Sequence, residues 1–147
     1  MNRNKHENNG FYGHLPEAAP LANPYVPFQS ENSPKYAADT AIIKGTLFPG
    51  LELPFMDMSN KNELPVTPLT QLQTLSFAIQ ELALYLDTHR EDVEALDLYR
   101  SYQKMYNENL MTYEKMCGPI NHMSLSEGTY QWLDEPWPWE YAKNREV

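Results

Sequence analysis

Proline placement sets the first limit on how this chain folds. Nine of the twelve prolines fall at or before Pro68, three at or after Pro119, and none lies between Leu69 and Gly118. Proline lacks an N–H donor and its ring clashes with the preceding helical turn, so long helices are confined to that central run. The chain divides into an irregular arm, a helical middle and a short irregular tail. A length of 147 residues is ordinary for one domain, and the core shared among these three parts must be small.

The central run carries its own start and stop signals. Thr67-Pro68 opens a helix with proline at the first helical position, and Thr70 with Gln73 offers an alternative capping box. The first helix is expected over about 69–87. Its apolar stripe is Leu72, Leu75, Ile79, Leu82, Ala83 and Leu86, while Phe77 and Leu84 point almost oppositely. Asp87 to Glu91 reads as a tight connection, with Thr88 and Glu91 spaced as a capping box for a second helix over about 89–117. Gly118-Pro119 ends it. Ala95, Leu96, Tyr99, Tyr102, Tyr106, Leu110, Tyr113 and Cys117 share one face; Arg90, Asp97, Ser101, Lys104, Glu108 and Lys115 share the other.

The expected fold is therefore mainly α: an antiparallel two-helix hairpin with an extended Pro/aromatic N-terminal arm and an irregular Trp-rich C-terminal tail. Two helices bury only one stripe each. At about 1.5–3 kcal/mol per large buried side chain, that barely offsets the entropy of ordering the chain. Something must cover the hairpin: the arm, the tail, a second copy or another protein. Residues 1–20 are too polar to order themselves and read as a disordered extension. Residues 21–67 form the arm, in which apolar clusters recur between prolines, and 68–147 hold the hairpin and tail.

Charge and composition exclude several functions. The net charge of −9 is spread as −2 over residues 1–67, −4 over 68–118 and −3 beyond, so no basic block exists to hold a phosphate backbone. Nucleic acid is not an expected partner. No stretch approaches the ~20 apolar residues of a membrane span, and Met1 to Asn9 lacks the apolar core of a signal peptide. Any destination outside the cytoplasm is then reached by another route or after cell lysis. Cys117 is the single cysteine, which rules out an intramolecular disulfide.

No catalytic constellation emerges. His89, Glu91 and Asp92 sit where a helix start already favours caps and acidic residues, and His6, His14 and His122 have no matching ligand array. Cys117 reads as a thiol on the apolar stripe, and the tyrosines as an amphipathic face, with oxidative cross-linking a less economical use. Asp134 and Glu135 are adjacent in an irregular tail, and the glycines form no phosphate loop. No cofactor is expected. Pro136 and Pro138 space Trp137 and Trp139 and limit the entropy lost on docking. Expected partner contacts are Trp132, Trp137 and Trp139 of the tail, Phe77 and Leu84 of the first helix, and Tyr25, Phe28, Leu47, Phe48 and Phe55 of the arm. Phe77 and Leu84 offer the tail a landing strip.

The segments Phe77 to His89, Tyr113 to Pro119 and Trp132-Leu-Asp-Glu-Pro-Trp-Pro-Trp-Glu140 together resemble the spore coat protein CotJB family over about residues 68–141. Leu21 to Gln29 and Lys44 to Phe55 resemble the spore-coat-associated protein CotJA, so the chain looks like a fusion of the two. Arg90 stands where the family usually has proline. The resemblance implies a non-enzymatic protein made in the mother cell of an endospore former and incorporated in the spore coat. It implies coat proteins as partners, among them a manganese-catalase-like subunit that would carry the metal chemistry. The competing reading is a small helical adaptor outside the coat, homodimeric through Phe77, Leu84 and the tyrosine face.

Overall fold

Thr67 turns the chain into its first long helix by accepting the backbone N–H of Thr70 on its side chain, with Pro68 in the first turn where a missing donor costs nothing. The computed structural model describes residues 24, 26–53, 64–124, 128–140 and 143. The expected disordered extension, Tyr25 and Phe55 lie outside these residues. In chain order the elements are α1 (Ala38–Lys44), a 3-10 turn (Pro49–Leu51), α2 (Pro68–Thr88), α3 (Val93–Cys117) and a second 3-10 turn (Gln131–Leu133). Among the described residues there are no strands. α2 and α3 pack together as the hairpin, and α1 packs on α2.

The connection differs from expectation in its cap. Thr88 ends α2, donating its hydroxyl back to the Tyr85 carbonyl, and so does not open α3. Asp92 caps α3 instead, accepting the Ala95 N–H at 2.9 Å. The same carboxylate accepts the Tyr85 hydroxyl at 2.8 Å, so one side chain both starts α3 and ties it to the end of α2. Capping from four residues further along leaves 89–91 to form the turn, closed by Asp92 N–H to the His89 carbonyl. His89 stacks on Tyr85 with ring centroids 4.3 Å apart.

The core falls into two clusters along the hairpin. At the turn end, Ala78, Leu82 and Tyr85 of α2 and Ala95 of α3 enclose Ala41, Leu47 and Phe48 of the arm. At the open end, Leu69, Leu72 and Tyr113 pack together, flanked by Tyr106, Leu110, Cys117 and Ile120. The polar face of α3 is solvent-exposed at Asp97, Ser101, Lys104, Glu108 and Lys115, as its sequence pattern requires.

The cover over the turn end is the chain's own arm. The reading of that arm as extended is corrected over Ala38–Lys44, where a proline-free run forms α1 and sets Ala41 against the core. Gly45 stops this helix with φ 77°, a left-handed conformation that costs a glycine little, and its N–H returns to the Ala41 carbonyl at 2.9 Å. The Tyr36 N–H then meets the Leu47 carbonyl at 2.8 Å. Glu52 completes the closure, accepting the Tyr36 hydroxyl at 2.7 Å and the Lys44 ammonium at 2.8 Å. These two donors, Lys44 first, hold its carboxyl below the usual range. The arm is thus a closed unit with its own shape.

Candidate partner-binding surface

α2 receives this unit through a polar latch beside an apolar seat. Glu81 accepts the Thr46 hydroxyl at 3.0 Å and the Leu47 N–H at 3.1 Å, while Phe48 N–H meets Thr46 Oγ1 at 3.2 Å. Leu47 is fully buried and Phe48 is 2 % exposed, stacked on Tyr85 at 5.0 Å. Lys35 Nζ lies 5.7 Å from the Tyr85 ring centroid. Enclosure by the arm and the Asp92 carboxylate push the Tyr85 hydroxyl above its ordinary pKa. Among the described residues, no buried side-chain polar atom lacks a partner.

The tail is organised differently. Gly118, with φ 97°, releases the chain from α3, and Ser124 donates to Glu114 as the chain leaves the helix. The tail lies against the last turn of α3: Trp137, Pro136 and Asp134 line a cavity of about 270 Å³ with Glu114, Met116 and Gly118. Its tryptophans pack on one another. The Trp137 indole donates to the Trp132 carbonyl at 2.9 Å, and Trp139 meets Trp132 edge-on at 5.8 Å and Trp137 tilted at 5.0 Å. Glu140 accepts the Trp137 N–H at 2.9 Å, and Lys143 bridges Glu140 and Glu135. The Trp137 N–H, and then Lys143, hold the Glu140 carboxyl below its ordinary pKa.

These placements sort the expected contact residues. Trp132 and Trp137 are half-buried, and Trp139 is 63 % exposed. Phe28 and Leu84 are exposed. Leu47 and Phe48 are enclosed in the chain's own core, against α2. Phe77 is half-buried against the cluster that holds the arm. Tyr99, Tyr102 and Tyr106 pack against the two clusters and stay half-buried. Sequence reasoning missed Glu81 and Tyr85. The available signal for Glu81 is that it is the one charged residue between Pro68 and Leu86. Tyr130 and Leu133, also exposed, extend the tail surface beyond the tryptophans.

Cys117 is half-buried, and burial pushes its thiol pKa up, which disfavours the thiolate. Among the described residues, no three His, Cys, Asp or Glu side chains come together to hold a metal ion, and no helix is long and apolar enough to cross a membrane.

Fold and surface together define a small helical-hairpin protein that clasps its own N-terminal arm and displays an aromatic tail. The chain belongs to the CotJB family, whose pattern it matches over residues 67–140, and residues 20–55 match the family described as spore coat associated protein JA (CotJA). No curated protein and no solved structure matches the chain. With the two matches in that order, it is a spore coat-associated protein carrying both components in one polypeptide.

Proposed function

We propose that this chain is a non-enzymatic assembly protein of the spore coat, made in the mother cell, which holds other coat components through its tail. The observation that carries the reading is the apolar surface of Trp139, Tyr130 and Leu133, exposed on a tail whose tryptophans are held by its own hydrogen bonds. Aromatic groups fixed before binding lose little entropy on docking, and buried tryptophan and tyrosine dominate the energetics of many interfaces. The manganese-catalase-like coat subunit is the partner that the family resemblance implies.

Gel filtration of the two purified proteins tests this reading. Co-elution is expected, lost when residues 130–141 are deleted. If the two do not associate, and the deletion leaves the composition of isolated coats unchanged, the reading fails.

A further inference from the structure

The arm-to-hairpin interface joins two segments that match two separate families, with residues 56–66 belonging to neither match. Among the described residues, its polar and aromatic contacts join the two matched segments directly. Glu81 takes the Thr46 hydroxyl and the Leu47 N–H, Phe48 stacks on Tyr85, and Ala41 packs in the same cluster as Ala78 and Ala95. None of these contacts uses the connecting residues. The arm also carries its own closure, in the Tyr36 to Leu47 backbone bond and the Lys44–Glu52–Tyr36 network, and needs no help from the hairpin to make those bonds.

We infer that the α2 face formed by Ala78, Glu81, Leu82 and Tyr85, together with Ala95 of α3, is a receptor for a CotJA-type segment, whether that segment is joined to the hairpin or supplied by a separate chain. The chain is a covalently joined heterodimer. Its connecting residues raise the local concentration of the arm. Recognition is carried by a buried aromatic anchor and by a carboxylate that reads a backbone N–H, the combination that concentrates binding energy in few residues.

The test starts from the folded full-length chain with a protease site inserted between Ser59 and Asn60. After cleavage, the two pieces are expected to co-elute at micromolar concentration, and an isotope-labelled peptide spanning residues 20–55 is expected to exchange into the complex by native mass spectrometry. Phe48→Ala should weaken retention by about 30-fold or more, and Glu81→Ala by about tenfold. Glu81 is half-buried on a helix that alanine favours, so that variant keeps the hairpin, checked by helical circular dichroism before cleavage. Separation of the wild-type pieces overturns the inference, as does retention that neither substitution weakens. The tail takes no part in this test, so its outcome is independent of whether the tail binds a coat partner.

Discussion

The arm and the tail begin with similar means and finish in opposite places. Both are proline-punctuated, aromatic and too short to fold alone. Leu47 and Phe48 of the arm disappear into the hairpin, whereas Trp139 of the tail stays 63 % exposed beside Tyr130 and Leu133. The difference lies in where each finds its hydrogen bonds. The arm sends the Leu47 N–H and Thr46 hydroxyl outward to Glu81, so its bonds and its apolar contacts point to the same helix. The tail turns its indole and backbone donors inward, to the Trp132 carbonyl and the Glu140 carboxylate, leaving aromatic edges outward. Proline and aromatic content announces a surface that wants a cover; the destination of the polar groups decides whether the cover is the same chain.

Truncating each region's anchor should break the symmetry most sharply. Phe48→Ala opens a cavity in a closed core and should cost about 3–5 kcal/mol, read as a lower denaturation midpoint of the helices. Trp139→Ala, removing a largely exposed group whose ring contacts are to the other tail tryptophans, should change that midpoint by less than about 0.5 kcal/mol while abolishing the proposed capture of the catalase-like coat subunit. Equal losses of stability from the two would erase the distinction. Next in size, Glu81→Ala strands the Leu47 N–H at a buried position and should cost about 2 kcal/mol in the same assay.

The hairpin itself was legible because its signals are local. Thr67-Pro68 and Gly118-Pro119 bracket it, and Leu72, Leu75 and Leu82 sit buried where helical periodicity puts them. What periodicity could not reveal is the second buried face of α2. Thr74, Ala78 and Tyr85 lie beside the stripe, and their burial depends on an arm some thirty residues earlier in the chain. The turn misled for a related reason. Thr88 and Asp92 are both competent caps by residue type, and the choice falls to Asp92 because it can also take the Tyr85 hydroxyl from the facing helix. In the tail the tryptophans pointed to an aromatic surface, but their mutual packing rests on Glu140 and Lys143, whose types carry no such signal.

Acid sharpens the comparison further, because the hairpin turn that seats the arm and the tail each hold a carboxylate with a lowered pKa. The Ala95 N–H and then the Tyr85 hydroxyl hold Asp92 below its ordinary value of 3.8. A folded-state pKa below the unfolded one stabilises above the unfolded value, and that stability is lost as pH falls through the folded one. Helix stability should therefore decline below about pH 4 through Asp92. Asp92→Ala should remove this part of the decline and cost about 1 kcal/mol at neutral pH, measured by denaturation at stepped pH.

The tail offers the smallest and most local effect, and a probe that isolates it. All three tryptophans, Trp132, Trp137 and Trp139, lie in the tail, so tryptophan emission reports that region while far-ultraviolet circular dichroism reports the helices. Glu140 is the tail's counterpart of Asp92, with its carboxyl lowered by the Trp137 N–H and by Lys143. By the same sign, its hold on the tail is complete above the ordinary carboxylate range and is lost as pH falls through the lowered value. Glu140→Gln keeps an acceptor for the Trp137 N–H but removes the charge that Lys143 meets. The expected result is a shifted emission spectrum at pH 7 whose acid transition is weakened, with an unchanged helical melting curve. A melting curve that moved with the emission would mean that tail and hairpin fold as one unit, and the tail would then be part of the cover after all.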